Sequence, residues 1–263
     1  MFELSVIIPV FNEGLNIEKT LRVLDENVGR SYEVLIVYDS DDDTTIPVVR
    51  ALQREFENIL LVKNKISRGP SGAIRSGIEV ARAPRVLVAM ADLCDDFTQI
   101  PDLMQIVPAQ ADIACPSRYC RGGQQQLPPS FKKFAPRFAG ALLKLFVGWN
   151  THDPTNSCKM YSARMLQQLF LTSTVSFSVT LEIVAKAHCL GYRITEIPTT
   201  WLDRTHGKSN FKLGRSLVTY MPWFLVALLR NRVFRMPMRI MRMCFANRPA
   251  LVVTRNKAES LDR

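Results

Sequence analysis

The sequence predicts an α/β fold, a doubly wound and mostly parallel sheet with helices on both faces. Over the first hundred residues, short apolar runs alternate with segments that carry apolar residues at helical spacing. Two of those runs, Tyr32–Tyr38 and Arg85–Met90, read as buried strands that stop at aspartate clusters. Alternation of this kind means βαβ units, and such sheets bind ligands beyond the carboxyl ends of their strands.

The elements follow in order. Leu4–Pro9 is a strand, and Asn16–Glu26 is a helix with Ile17, Leu21 and Leu24 on one face. Tyr32–Tyr38, Ile59–Lys63 and Arg85–Met90 are strands, with Ile46–Glu55 and Ser71–Ala81 as the helices between them. Asp112–Ser117 is a further strand, and Phe131–Val147 is a helix carrying Lys132, Lys133, Arg137 and Lys144. Ala163–Phe170 and Thr180–Leu190 are helices, the second closed by Gly191. Tyr192–Ile197 is a strand stopped by Pro198. No linker divides the chain before residue 215, so residues 1–215 are expected to form one domain, 216–248 an apolar and arginine-rich extension, and 249–263 a flexible tail.

At 47% hydrophobic content, 263 residues bury a full core. The formal charge of +10 calls for an anionic partner, and no basic-aromatic signature points to nucleic acid. Six cysteines lie scattered without a CxxC pair or zinc spacing, which suits a reducing, cytosolic-facing location. No secretory signal is expected at the N-terminus. The longest uncharged apolar run, Leu217–Leu229, would span roughly 20 Å as a helix, against a bilayer core of about 30 Å.

Three segments carry chemistry. Tyr38-Asp-Ser-Asp-Asp-Asp-Thr-Thr45 places four carboxylates within five residues at a strand end. Such a cluster binds a cation, or caps the next helix through Asp43 or Thr44, and both readings stand. Met90-Ala-Asp-Leu-Cys-Asp-Asp96 places Asp92 to hold a divalent metal that bridges a diphosphate, with a solvated turn as the plain alternative. Arg68-Gly-Pro-Ser-Gly-Ala73, with Arg75 beyond, opens a helix and suits a phosphate at its N-terminus through Gly69. It has neither the dinucleotide nor the P-loop order.

Taken in sequence, these segments resemble the family 2 glycosyltransferases. Ser5-Val-Ile-Ile-Pro-Val-Phe-Asn-Glu13 is similar to the family's opening strand, with Pro9, Asn12 and Glu13 at the nucleotide-binding turn. Asp39, Asp43 and Thr45 fit its D-D-G-S-x-D-x-T segment, and Asp92 fits the second aspartate of D-x-D. Ser117-Arg-Tyr119 with Gly122-Gly123 resembles a segment of the dolichol-phosphate mannosyltransferases and their bacterial polyprenyl-phosphate relatives. So do Asp153-Pro-Thr-Asn-Ser157, Phe177 to Glu182, Gly191–Pro198, and Arg204 with Gly207, Ser209 and Phe211. The resemblance spans roughly residues 4–215 and implies a GT-A fold.

It also implies a reaction and its residues. A hexose, with mannose from GDP-mannose expected before glucose from UDP-glucose, passes with inversion to a polyprenyl phosphate. Pro9, Asn12, Glu13, Asp39, Asp41, Gly69 and Arg75 are the expected donor contacts. Asp92 and Asp95 are expected to hold Mg or Mn. Ser117, Tyr119, Asp153, Lys208 and Ser209 are expected at the acceptor, with Lys212 as a weaker candidate. Arg118 and Arg204 would hold phosphates, and Glu182 would face the site or else pair with Lys186 at i+4. A phosphate oxygen is already ionised at neutral pH and needs no strong base.

The sequence departs from the family at Tyr38, at Ser40-Asp41, at Ser71, at Asn210 and at Met90, which replaces the first D-x-D aspartate. Asp39, Asp41 or Asp95 can compensate. His152, His188 and His206 form no triad by spacing. Arg235, Arg239 and Arg242 share a helical face amid apolar residues, which suits an anionic membrane surface on the cytoplasmic side. Two other readings stand beside this one: transfer to a hydroxyl acceptor, and a binding subunit that has lost catalytic power. Either enzyme could need a partner subunit.

Overall fold

The computed structural model describes residues 1–29, 31–126, 147–202, 213–229 and 236–246, with backbone alone for 213–217. Strand β1 (Leu4–Pro9) leads to helix α1 (Ile17–Val28), β2 (Tyr32–Tyr38), α2 (Thr45–Leu52) and β3 (Ile59–Lys63). Helix α3 (Pro70–Val80), β4 (Arg85–Val88), a 3-10 turn at Phe97–Gln99, α4 (Ile100–Ile106) and β5 (Ile113–Ser117) follow. The later elements are β6 (Gln124–Gln126), β7 (Lys159–Ser162), α5 (Ala163–Gln168), α6 (Ser178–Leu190), β8 (Ile194–Pro198), β9 (Thr200–Leu202), α7 (Leu213–Leu228) and α8 (Met238–Phe245).

Seven strands form one sheet in the order β3-β2-β1-β4-β7-β5-β8. All described pairings are parallel except those of β7, which runs antiparallel between β4 and β5. Strands β6 and β9 form a separate parallel pair. The order reverses at β1, where the chain builds β2 and β3 to one side and then returns to place β4 on the other. That reversal opens a crevice at the carboxyl ends of β1 and β4.

Side chains of one strand alternate between two cores. Ile7, Leu35, Val37, Val86 and Val88 join Ile74 of α3 and Val184 of α6 on one face. Val6, Ile8, Val34, Ile36 and Leu87 join Leu21 and Leu24 of α1, Val49 of α2 and Leu103 of α4 on the other. Burial on both faces is the reason these strands read as near-continuous apolar runs. On α1 the buried residues are Ile17, Thr20, Leu21 and Leu24, the spacing of one helical face. Helix α3 lies close against β1, because Gly77 has no side chain there. A Cβ at that position would stand 2.5 Å from Cγ2 of Ile7.

Several expectations shift. The fourth strand stops at Val88 rather than Met90, and α2 stops at Leu52 rather than Glu55. Strands β6, β7 and β9 and helix α4 have no counterpart in the sequence reading. Helix α7 crosses residue 215, and its Tyr220 and Ala227 are buried in the core with α6. The helix expected at 131–147 lies outside the described residues except for its last position. The expected tail at 249–263 lies outside them as well. No helix among the described residues is long and apolar enough to cross a membrane.

Candidate active site

The crevice begins at the end of β1. Beyond Pro9, Asn12 adopts a left-handed backbone (φ 57°), a conformation that asparagine tolerates better than most residues. Its Oδ1 accepts from the Thr44 amide at 3.2 Å, and its own amide donates to both oxygens of Asp43 at 3.1 Å. Asp43 also accepts from the Thr45 amide at 2.8 Å, and Thr45 Oγ1 accepts from the Glu13 amide at 2.9 Å. Glu13 Oε2 accepts from Asn16 Nδ2 at 2.8 Å. The capping reading of the aspartate cluster therefore holds for Asp43, which locks the turn after β1 to the start of α2. Asp41 is exposed and ion-paired with Lys63.

Asp39 works differently. Its two oxygens accept from the Gly69 amide at 2.7 Å and from Asn64 Nδ2 at 2.6 Å. The end of β2 is thereby tied to the N-terminus of α3. Gly69 makes this possible with φ of 102°, a region closed to most side chains. Pro9, Asn12, Glu13, Asp39 and Gly69 are thus brought to one end of the sheet, where the helix N-terminus favours an anion.

The segment 172–178 is strapped across the start of α3. Ser71, the departure from glycine, donates to the Ser176 carbonyl at 2.7 Å and accepts from the Val179 amide at 3.2 Å. Arg75 Nη1 donates to the Ser173 carbonyl at 3.2 Å, so this candidate donor contact is joined to protein backbone. Glu182 calls for a correction. Its carboxylate is fully buried and accepts from the Thr172 amide at 2.7 Å, the Thr172 hydroxyl at 3.0 Å and the Ser173 amide at 2.8 Å. Lys186 completes the set as its ion-pair partner. A carboxylate so enclosed holds the strap and is not open to substrate. Lys186 in turn lies over the rings of Trp223 (5.0 Å) on α7, and of Phe170 and Phe245 (5.9 Å each), which pins both C-terminal helices to α6.

The charged centre lies beyond β4 and β5. Asp92 is nearly buried and takes the Cys94 amide at 3.2 Å, while Asp95 takes the Met90 amide at 3.3 Å. Burial, and then the charge of Asp92, push the Asp95 carboxyl up to about 7, against the Met90 N–H, the Arg118 guanidinium and the Cys158 thiol. Arg118 is clamped by the fully buried Asp153. Its Nε donates to Oδ2 at 2.6 Å, its Nη2 to Oδ1 at 2.9 Å, and its backbone N–H to Oδ2 at 3.2 Å. Burial alone would raise the Asp153 carboxyl, but the guanidinium outweighs it and holds the group below the usual carboxylate range. The Tyr119 ring lies 5.1 Å from the Arg118 Cζ. Ser117 is buried, and its hydroxyl accepts from the Cys120 amide at 3.2 Å, so it shapes the turn instead of facing a ligand.

Two carboxylates that repel each other in a partly buried turn fit a divalent cation, whose charge reverses that repulsion. Among the described residues no group of three or more His, Cys, Asp and Glu is gathered for a metal. A pair therefore suits an ion that takes its remaining ligands from substrate phosphates and water. Arg204, Lys208 and Ser209 lie outside the described residues, as does Lys212. The sequence reading missed Asn64, which also donates to the Ser67 carbonyl at 2.6 Å. It missed Lys159 too, a fully buried lysine at the start of β7. Nothing in Lys159-Met-Tyr-Ser162 signals that burial in the sequence.

The chain is similar to several known proteins. A dolichol-phosphate mannosyltransferase of Pyrococcus furiosus is 26% identical over 222 residues, 83% of this chain and 62% of that protein. The chain thus spans less than two thirds of that relative. An undecaprenyl-phosphate mannosyltransferase of Micrococcus luteus is 29% identical over 230 residues, 84% of this chain and 93% of that protein. The crystal structure of glucosyl-3-phosphoglycerate synthase from Mycobacterium tuberculosis with Mn2+, UDP-glucose and phosphoglyceric acid superposes with a TM-score of 0.61. It covers 87% of this chain and 79% of that one at 16% identity, a likeness of fold. The sequence profile of Glycosyl transferase family 2 matches residues 5–170, well over half of the protein, and the chain belongs to that family.

Proposed function

We propose that the protein transfers a hexose from a nucleotide-sugar to a polyprenyl phosphate, with inversion at the anomeric carbon. The observation that carries this reading is the buried Arg118–Asp153 pair set beside Asp92 and Asp95 at the carboxyl end of the sheet. A clamped guanidinium holds a phosphate without reorganising, and the neighbouring carboxylates suit the cation of a diphosphate leaving group. Mg or Mn on Asp92 and Asp95 would neutralise charge on the departing nucleotide. The names of the two mannosyltransferase relatives support the acceptor class and favour mannose from GDP-mannose, with glucose from UDP-glucose next. The Mn2+ and UDP-glucose in the synthase of the same fold support a metal-bound diphosphate donor.

Pro9, Asn12, Glu13, Asp39, Asp41 and Gly69 line the donor end in this reading. Tyr119, Lys208 and Ser209 serve the acceptor, Asp153 holds Arg118 for it, and Arg204 assists Arg118. A polyprenyl chain reaches the site from a bilayer, and we assign the cytoplasmic face. The outer side of α8 carries Arg239 and Arg242 beside exposed Met238, Ile240 and Met243, and α7 exposes Val218, Met221 and Leu225. Cations beside apolar side chains suit anionic headgroups.

Transfer to a sugar hydroxyl has one observation in its favour. His152 Nδ1 lies 2.6 Å from Glu196 Oε1, a His–carboxylate pair directly before Asp153 in sequence. A hydroxyl acceptor needs such a base, whereas a phosphate does not. Undecaprenyl phosphate and a glycolipid bearing free sugar hydroxyls, offered at equal concentration in the same detergent, separate the two. Product from the phosphate alone is expected, and comparable product from the glycolipid would overturn the reading.

A further inference from the structure

Lys159 has no part in the chemistry described so far, and its position is unusual. It opens β7 opposite Val88, the last residue of β4, and its side chain is fully buried. The Nζ donates to the Pro154 carbonyl at 3.1 Å and to the Asn156 carbonyl. Neither partner is anionic, and a buried ammonium is costly unless it is compensated. Burial lowers its pKa, and the neighbouring charged and titratable groups are Cys115, Asp153, Arg118 and Cys158. A methionine would fill the same space without that cost, so the charge and its donors have a purpose in this place.

The two carbonyls belong to one short loop, and both ends of that loop reach the charged centre. At its start Asp153 clamps Arg118, and its Oδ1 also accepts from the Asn156 amide at 3.2 Å. In its middle Asn156 Nδ2 donates to the Pro116 carbonyl of β5 at 2.9 Å. At its end Cys158 neighbours Asp95, close enough for each group to shift the other's ionisation. The loop thus runs from the arginine assigned to the acceptor phosphate to a carboxylate assigned to the metal. Lys159 sits within it and draws its carbonyls inward.

We propose that Lys159 is a positioning residue for the transfer: by holding the Pro154 and Asn156 carbonyls it fixes the loop that aims Arg118 at the acceptor phosphate. This rests on the reading of Arg118 given above. A double-mutant cycle in the full chain tests it, with Lys159→Met, Arg118→Ala and the double variant assayed for kcat/KM toward undecaprenyl phosphate. Nucleotide binding by calorimetry and the thermal midpoint report folding. Lys159→Met is expected to bind nucleotide within about twofold of the parent and to lose on the order of tenfold in acceptor kcat/KM. In the Arg118→Ala background the same change is expected to cost less than about twofold, since the group it positions is gone. Equal losses in both backgrounds would make Lys159 a plain structural residue and overturn the proposal, as would full activity of Lys159→Met. If Arg118→Ala alone leaves acceptor kinetics unchanged, the reading of Arg118 fails instead. Should the methionine protein not fold, Lys159→Gln, which keeps an amide donor, takes its place in the cycle, and the same pattern of losses supports or overturns the proposal.

Discussion

Asp92→Ala is expected to lower kcat by roughly 10²–10³-fold while the protein stays folded, the scale of losing one preorganised electrostatic contact to the transition state. The carboxylate stands at the turn after β4, where the sheet order reverses, and its charge is felt by Asp95. Met90 occupies the place of the family's first acidic ligand, so in the proposed reading Asp92 and Asp95 are left to hold the cation. Removing one of two protein ligands therefore has a larger effect than removing one of three. The expected signature is a loss of rate with a steep rise in the Mn2+ concentration needed for half-maximal activity. Loss of rate with an unchanged metal requirement would assign Asp92 to the sugar rather than to the ion.

Asp153→Asn is expected to destabilise the fold by about 3–5 kcal/mol, the range for breaking a buried pair and leaving charge uncompensated. The amide would face Arg118 with donors opposed to donors, and Arg118 and Lys159 would lose their shared buried anion. For a domain of this size the thermal midpoint should fall on the order of 10 °C. The pH dependence has a definite sign. The Asp153 carboxyl ionises below its ordinary range, so its contribution is complete at neutral pH. It fades as the pH drops below about 4 and is lost once the pH passes under the folded value. The gap between parent and variant should therefore narrow on acidification. Equal midpoints at pH 7 would mean that the pair adds nothing to stability.

Much of this site could be read from the residues, and the part that could not is tertiary. The bounds of β1, β2 and β3 were legible because each is an apolar run closed by a turn residue or an aspartate. Strand β7 was not, since Lys159 opens it and a lysine does not announce burial. Its ammonium donates to two carbonyls of the preceding loop, which only the fold brings inward. Strands β6 and β9 are short, and the Gln124–Gln126 segment has no apolar residue to signal a strand. Glu182 and Lys186 pair at i+4 as helix geometry permits, but the hold of Glu182 on residues 172 and 173, and of Lys186 on the Phe170 carbonyl, depends on contacts nine to sixteen residues away. Arg118 and Asp153 were each marked by resemblance, while their pairing across 35 residues belongs to the folded sheet. Asp39 was marked for the donor, and its ties to Gly69 and Asn64 make it the residue that places the helix start there.

Transfer of a sugar from a nucleotide to a lipid phosphate is measured by giving the purified protein a panel of radiolabelled nucleotide-sugars with undecaprenyl phosphate and Mn2+ or Mg2+, and counting label in the organic phase. Label is expected from one donor, GDP-mannose first, and is expected to disappear with Asp92→Ala. No organic-phase label from any donor, from a protein that still binds nucleotide, would contradict it.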